Sequence, residues 1–193
     1  MEAISASTRT QLFLSTKIGN HEVPASSGQS VGNSATTDLC ELFHLHRRSS
    51  NEDQEGVPFV GRAGALLDKM LASIDLNRKN VYITNVVNYR PPENRRPTEE
   101  EIAKYLPYLK KHIEIINPKI LVLLGSTALN ALIGNEIVIS KARGQWIEKQ
   151  FGECKTSVII TFHPAFLMRQ PAQKKMAWID LKMIRDKKAE LKI

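Results

Sequence analysis

The sequence predicts a three-layer α/β/α protein in which helices cover both faces of a mostly parallel central sheet. Short segments rich in β-branched or aliphatic residues occur at positions 81–87, 120–124 and 157–161, and segments with helical spacing of apolar residues lie between them. Such alternation is typical of parallel sheets, because a helix is the usual connection between two parallel strands. We expect this domain to occupy residues 51–193.

The first fifty residues do not share this pattern. They contain fourteen Ser or Thr residues and no sustained period of 2 or 3.6, and residues 26–34 are rich in turn formers. The exception is one short apolar segment at residues 39–45. We expect residues 1–50 to form a divergent, poorly ordered segment ahead of the domain.

The domain begins with a helix and a strand. Leu66, Met70 and Ile74 share one face of a helix that follows the glycine-rich residues 61–64. Residues 81–87 come after a polar turn and are rich in β-branched side chains, which predicts a strand.

A second helix begins at the capping box Thr98-Glu-Glu-Glu101. We expect a kink at Pro107 and an end before Asn117-Pro118, because proline disfavours helical backbone at the residue before it. Residues 120–124 form a continuous apolar run, which indicates a buried parallel strand, and a short helix follows up to about Gly134.

The last third of the chain predicts a strand, a loop and a helix. Residues 157–161 are the strand, and residues 163–171 are the loop. The final helix covers about residues 173–189, with Met176, Ile179 and Met183 facing inward and lysines facing outward.

Composition limits the classes of function. The longest apolar runs are far too short to cross a bilayer, and the N-terminus lacks the pattern of a signal peptide, so we expect a cytoplasmic protein without membrane contact. Two cysteines cannot form a disulfide scaffold. The net charge of +7 lies wholly in residues 51–193, which is compatible with a polyanionic partner, although a solvated basic helix gives the same count.

Polar residues follow each predicted strand, at the sheet edge where α/β proteins bind ligands. Asn85 lies near the end of the first strand, Gly125-Ser126 follows the second and His163 follows the third. A single Asn or His is more often a loop residue with backbone partners. Pro164 fixes the turn after His163, however, which favours a functional role for this histidine.

The loop after His163 continues with Phe166-Leu-Met-Arg169. Large apolar side chains beside an arginine suit insertion into a DNA stack together with a phosphate contact. The alternative is that these side chains pack the loop onto its own sheet.

Four motifs in order resemble those of the family 4 uracil-DNA glycosylases. The motifs are Gly56-Val-Pro-Phe-Val-Gly-Arg-Ala-Gly64, Tyr82-Ile-Thr-Asn85 with Arg90-Pro-Pro92 after it, Leu124-Gly125, and Phe162-His-Pro-Ala165. Each motif alone is weak, and their order and spacing make the resemblance specific over about residues 51–185. The resemblance implies an enzyme of base-excision repair that flips uracil out of DNA and hydrolyses its N-glycosidic bond.

The resemblance also implies roles for individual residues. Phe59 would stack on the flipped base, Asn85 would read the uracil edge, and His163 would donate to uracil O2 as negative charge develops. Glu52 would help to place the attacking water. The expected DNA contacts are Gly125, Ser126, Pro164, Ala165, Leu167 and Arg169, with backbone N–H groups at the first two.

The sequence departs from this family at its iron–sulfur cluster. Family members use four cysteine ligands, and two of those positions are Tyr89 and Tyr105 here. We therefore expect no cluster, no metal site and no other cofactor, and we expect the two tyrosines to fill the space by packing.

A second departure concerns the family's Gly-Glu-Ala-Pro-Gly motif, which is replaced by residues 43–50. Codons for Phe43 to Asn51, read one nucleotide later, can encode Phe-Ile-Phe-Ile-Gly-Glu-Ala-Pro. One hypothesis is therefore that residues up to about 50 are translated out of frame. On that hypothesis the chain has lost a central strand and a catalytic carboxylate loop.

Three hypotheses about function follow. The first is a monomeric uracil-DNA glycosylase with weakened activity, since the loss of one positioned catalytic group costs on the order of a hundred- to a thousandfold in rate. The second is a non-catalytic remnant that still binds DNA. The third is an unstable product without function.

Overall fold

A computed structural model describes residues 59–87, 95 and 97–193 of the chain, and the backbone of residues 40–44. Five strands within these residues form one sheet: β1 (Cys40–His44), β2 (Val81–Asn85), β3 (Ile120–Leu124), β4 (Trp146–Phe151) and β5 (Cys154–Thr161). The helices are α1 (Arg62–Ala72), α2 (Glu99–Ile116), α3 (Ser126–Leu132), α4 (Ile139–Ala142), α5 (Pro164–Arg169) and α6 (Lys174–Leu191), with a 3₁₀ turn at Pro171–Gln173.

The strand order is β2-β1-β3-β5-β4, and all neighbouring strands are parallel except β4 and β5. The predicted mostly parallel sheet is therefore confirmed. β4 is a strand that the sequence analysis missed, because the polar residues Glu148, Lys149 and Gln150 conceal an edge strand. The turn between β4 and β5 contains Gly152, whose φ of 58° favours glycine.

β1 corrects one expectation about the N-terminal segment. It lies between β2 and β3, with Leu42 opposite Ile83 on one side and Val122 on the other. The central strand is therefore present, which contradicts the loss of that strand that the out-of-frame hypothesis implied. β1 comes before residue 50, so the sheet includes a segment N-terminal to the predicted domain boundary.

Two apolar cores cover the two faces of the sheet, as a three-layer fold requires. Alternate residues of β3 point to opposite faces. The first core contains Ile120, Val122 and Leu124 with side chains from α1 and α6, and the second contains Leu121 and Leu123 with side chains from α2 and α3. All five β3 side chains are at most 1% exposed, which confirms the buried strand predicted from its apolar run.

The C-terminal part of the fold differs from the sequence prediction in two ways. Residues 164–169 form α5, where a loop was expected, because Pro164 occupies the first helical turn and His163 caps the helix. In α6 the inward face is formed by Ala177, Asp180, Leu181 and Ile184. Met176 and Ile179, predicted to face inward, are 41% and 45% exposed.

No helix in the described part of the chain is long and apolar enough to cross a membrane.

The predicted capping box at the start of α2 is confirmed. The Thr98 side chain accepts a hydrogen bond from the Glu101 N–H at 3.3 Å, and a Glu101 carboxylate oxygen accepts one from the Thr98 N–H at 2.8 Å. Arg95 donates to both oxygens of the same carboxylate. The Arg95 and Thr98 hydrogen bonds lower the pKa of Glu101 to about 2. At its other end, α2 stops at Asn117 in a left-handed conformation with φ of 54°.

We expect Glu101→Gln to lower the melting temperature at pH 7, with a loss of about 0.2–1 kcal/mol, because glutamine keeps the cap but loses the exposed charge pair with Arg95. The pKa of Glu101 is lower in the folded state than in the unfolded chain. Its stabilisation is therefore complete above about pH 4.5 and is lost as pH falls towards 2. Thermal melts across this range should show the difference between wild type and variant shrinking with acidity. A pH-independent difference for Glu101→Gln would contradict the account.

Candidate active site

The carboxyl ends of four parallel strands meet at one edge of the sheet. The chain passes from β1 to β2 on one side and then returns across β1 to β3 on the other. In open α/β sheets, this change of direction leaves a crevice at the carboxyl edge where ligands bind. Asn85, Gly125 and His163 all lie at or just beyond this edge, as the sequence predicted.

Asn85 is the last residue of β2 and is 7% exposed. Its side-chain oxygen Oδ1 is buried and has no hydrogen-bond partner among the described residues. An unsatisfied buried acceptor costs about 1–3 kcal/mol, and most such atoms in folded proteins are paired. A buried acceptor of this kind, at the edge of the sheet where ligands bind, is suited to accept a hydrogen bond from an N–H or O–H group of a ligand.

His163 is 9% exposed and has a defined tautomer in its neutral form. It is the N-cap of α5, and its Nδ1 accepts a hydrogen bond from the Ala165 N–H at 2.9 Å. Because Nδ1 acts as an acceptor, the ring proton of the neutral imidazole is on Nε2. The helix start therefore makes His163 Nε2 a hydrogen-bond donor.

Gly125 is the residue that allows β3 and His163 to approach each other. Its φ of 93° favours glycine, and a Cβ placed there would lie 3.2 Å from the His163 Cβ. The Gly125 N–H also donates to the Thr161 carbonyl at 2.9 Å. The residues that follow β3 are therefore held directly against those that follow β5.

Phe59 forms a wall of the site beside His163. Its ring is 2% exposed and is stacked on the His163 ring, with 5.7 Å between centroids and 18° between planes. Its φ is 60°, a strained value for a side chain of this size. A flat ligand could stack on Phe59 only after a local rearrangement of this ring pair.

Two contacts hold the Phe59 backbone in this conformation, and the sequence analysis missed both. Arg78 donates to the Phe59 carbonyl at 2.6 Å and pairs with Asp68 at 2.7 Å. A Cβ on Gly64 would lie 1.6 Å from the same carbonyl oxygen, so α1 can pass there only because residue 64 is a glycine. The sequence signal was the second glycine of the Gly61-Arg-Ala-Gly64 run, which we interpreted as a helix start and as part of a family motif and not as a close backbone approach.

A buried ion pair lies beside the end of β5 and was also missed. Asp180 on α6 is 0% exposed and binds Arg143 and the Thr161 hydroxyl. Burial raises the pKa of the Asp180 carboxyl, and the hydrogen bonds from Thr161 and Arg143 oppose this rise. The available signal was an acid at a position that shares a helical face with Ala177, Leu181 and Ile184.

The expected DNA contacts differ in their exposure. Ser126 and Arg169 are exposed, Ala165 is half-buried and Pro164 is buried. Leu167 is 1% exposed and belongs to the core formed with α1 and α6. A side chain that contacts DNA must reach the surface, so its burial does not agree with a contact by Leu167. At Leu167 the packing agrees with the alternative in which the side chain packs onto the protein's own core.

Two of the residues expected to act or pack at the site, Glu52 and Tyr89, lie outside the described residues. Tyr105 is half-buried in α2 and packs against the core formed with α3. The chain has two cysteines in all, so it cannot supply the four thiolates of an all-cysteine iron–sulfur cluster. Its residues therefore do not fit that group. Among the described residues, no three His, Cys, Asp or Glu side chains gather in a way that could bind a metal ion.

The fold and this edge define an α/β protein with a buried amide and an oriented imidazole at the carboxyl ends of its parallel strands. Comparison with protein families matches residues 47–182 to the Uracil DNA glycosylase superfamily. The type-4 uracil-DNA glycosylase of Thermotoga maritima is 49% identical over 119 residues, which cover 61% of this chain and 60% of that protein. The type-4 enzymes of Sulfurisphaera tokodaii and Archaeoglobus fulgidus are 43% and 41% identical, over 75% and 69% of this chain and 68% and 69% of their own lengths.

The chain therefore belongs to the uracil-DNA glycosylase superfamily and, within it, to the type-4 uracil-DNA glycosylases. It spans about three fifths to two thirds of the length of these relatives. The resemblance read from four short motifs is thus confirmed.

We expect Gly64→Ala to destabilise the fold by about 1–3 kcal/mol, the usual cost of forcing an extra methyl group into a packed site. The added Cβ collides with the Phe59 carbonyl and competes with its hydrogen bond from Arg78. Denaturant unfolding at equilibrium measures this change. Lys69→Ala, at an exposed position of the same helix, serves as the control. Equal stabilities for Gly64→Ala and Lys69→Ala would show that the close approach is absent.

Proposed function

We propose that this protein removes uracil from DNA by hydrolysing the N-glycosidic bond, as the names of its relatives suggest. The observation that carries the proposal is the buried Oδ1 of Asn85, which has no hydrogen-bond partner in the described part of the chain and lies at the same sheet edge as the oriented imidazole of His163. Three strand intervals separate β2 from β5, which places the two backbones roughly 14 Å apart. In the proposal, one base lies along this edge and contacts both side chains.

Asn85 is suited to distinguish uracil from cytosine. Its Oδ1 can accept from the uracil N3–H, and its amide group can donate to uracil O4. Cytosine presents an acceptor at N3 and a donor at N4, so both contacts would be mismatched. Mispaired groups in a buried site are strongly disfavoured, because neither can turn to water.

His163 is suited to stabilise the leaving base. When the bond between C1′ and N1 breaks, its electron pair remains on uracil, and the charge is shared with O2. A donor already aimed at this charge lowers the barrier, because no reorganisation is needed during the reaction. The hydrogen bond from Ala165 to Nδ1 holds the imidazole in the tautomer that donates from Nε2.

Entry of the base would replace the present contact between Phe59 and His163. Because Phe59 is buried against the imidazole, a flipped uracil would have to separate the two rings before it could stack on Phe59. Base flipping already carries a cost of a few kcal/mol for unstacking the nucleotide. Single-stranded DNA, in which this cost is smallest, is therefore the favoured substrate of the proposal.

DNA would lie across the exposed groups at the same edge. Ser126 is exposed at the start of α3, and Arg169 is exposed at the end of α5. Gly125 is buried and its N–H already donates to the Thr161 carbonyl, so we omit it as a phosphate contact. The net charge of +7 favours association with a polyanion. We include Arg169 as a phosphate contact, and we omit Leu167 because it is buried.

We propose that the rate is reduced relative to the family, because the acidic motif before Glu52 is altered. Glu52 itself remains the proposed group for placing the attacking water. The alternative, a non-catalytic remnant that binds DNA, shares the fold and charge and differs only in the absence of base release.

We expect wild-type protein to release uracil from a labelled oligonucleotide that contains a single uracil, and to leave the matched cytosine oligonucleotide intact. Asn85→Ala and His163→Ala should each lower the single-turnover rate by about a hundred- to a thousandfold, since each removes one positioned group. Asn130→Ala, an exposed asparagine on α3, is the matched control and should retain the full rate. Binding without release by the wild type would support the remnant and reject the enzyme.

We expect Arg169→Ala to weaken DNA binding and to reduce the slope of log Kd against log salt concentration by about one, the value for the loss of a single phosphate contact. Lys155→Ala is the matched control, because Lys155 is exposed near the opposite, amino end of β5. Fluorescence anisotropy at several salt concentrations measures both slopes. Identical slopes for the two variants would remove Arg169 from the proposed DNA surface.

A further inference from the structure

We infer that Arg143 and Asp180 are positioning residues that fix the end of β5 and thereby the orientation of His163. The inference rests on the proposed function, in which the direction of the His163 ring matters. It concerns two residues outside the four motifs that identified the family. Both are removed from solvent, with the Arg143 side chain 9% exposed and the Asp180 side chain 0% exposed.

The Asp180 carboxylate is held by two elements besides its own helix. One oxygen accepts from the Thr161 hydroxyl at 2.6 Å and from Arg143 Nε at 3.1 Å, and the other accepts from Arg143 Nη2. The same Nη2 donates to the Met176 carbonyl at 2.6 Å. A bidentate pair with these further hydrogen bonds permits only one arrangement of α6, the end of β5 and the residue after α4.

Of the three residues immediately before His163, Thr161 and Phe162 contact the Arg143–Asp180 pair, and Ile160 contacts Gly144, the residue after Arg143. The Ile160 carbonyl accepts from the Gly144 N–H at 3.1 Å, and the Thr161 hydroxyl donates to Asp180. The Arg143 guanidinium lies 5.4 Å from the centre of the Phe162 ring, within the range of a cation–π contact. The backbone that leads into His163 is therefore held at three consecutive residues.

Two further contacts connect the unit to the helix that His163 caps. The Phe162 ring packs against Phe166 of α5, with 5.0 Å between centroids. Gly144 has φ of 67°, and a Cβ there would lie 2.8 Å from Asp180 Oδ1. Residue 144 is thus limited to glycine both by its backbone and by the carboxylate beside it.

A gain in stability does not by itself explain why the buried Arg143–Asp180 pair is present. Removing two charges from water costs several kcal/mol per ion, and well-packed apolar residues often replace a buried ion pair at no loss. Apolar side chains could not, however, form hydrogen bonds with the Thr161 hydroxyl and the Met176 carbonyl, and it is these bonds that set the direction of each partner. The pair therefore acts chiefly to specify one geometry at the end of β5.

Asp180→Asn tests the inference, because asparagine keeps the size of the side chain and loses its charge. We expect single-turnover uracil release to fall roughly ten- to a hundredfold, as for a small misplacement of a catalytic group, with the Kd for DNA unchanged. In a His163→Ala background the same substitution should have almost no effect, since the group that it positions is gone. Equal losses in both backgrounds would overturn the inference and leave a structural role.

Two further variants separate positioning from folding. Ile184→Ala removes a buried side chain from the same helix and should lower the melting temperature while the rate is retained. Thr161→Val removes only the hydroxyl that binds Asp180, so it tests the same connection if Asp180→Asn does not fold. Its loss of rate should also depend on His163, and independence from His163 would overturn the inference.

The ¹⁵N chemical shifts of the His163 ring give a readout that does not need turnover. We expect Asp180→Asn to shift the Nδ1 resonance, because the hydrogen bond from Ala165 is weakened, and we expect Ile184→Ala to leave it in place. An unchanged Nδ1 resonance in Asp180→Asn overturns the inference. Absence of uracil release by the wild type would instead overturn the proposed function, and the ring resonances would still decide the role of Asp180.

Discussion

The parallel pairing of β3 with β5 is the constraint on which the site depends. Leu124 lies opposite Thr161, so Gly125 and His163 emerge side by side from the ends of neighbouring strands. A glycine at 125 permits this approach, and α5 begins at once because His163 caps it and Pro164 starts its first turn. The direction of one imidazole therefore follows from strand register, one glycine and one helix start.

Several local features of the site are costly by themselves. Phe59 has a left-handed backbone, Asn85 has a buried oxygen without a described partner, and Asp180 is a carboxylate within an apolar core. Features of this kind persist where the surrounding packing holds them, and they concentrate at functional sites. Here the two cores on either face of the sheet provide that packing. Asn85 ends β2, Phe59 stacks on His163, and Asp180 binds Thr161 at the end of β5, so all three features lie near the carboxyl edge.

The sequence predicted the layered fold, the family and the position of three polar residues at the sheet edge better than it predicted contacts. The apolar run of β3, the capping box at Thr98 and the polar residues after each strand were readable because each depends on neighbours in sequence. The inward face of α6 was predicted correctly at Met183, which packs against the first core, and wrongly at Met176 and Ile179. Asp180 is buried there instead through Arg143 and Thr161, which are distant in sequence. Arg78 was missed for the same reason, since its partner is the Phe59 carbonyl nineteen residues away. β4 shows that an edge strand with charged residues leaves a weak pattern.

A crystal structure with an oligonucleotide that contains 2′-fluoro-2′-deoxyarabinouridine, whose glycosidic bond resists hydrolysis, tests the central claim most directly. The account predicts the uracil at the carboxyl edge of the sheet, with N3 about 2.9 Å from Asn85 Oδ1 and O2 at a similar distance from His163 Nε2. It also predicts that Phe59 stacks on the base and no longer on the imidazole. A uracil bound elsewhere, with Asn85 Oδ1 still unpaired and the Phe59–His163 contact intact, would contradict the account.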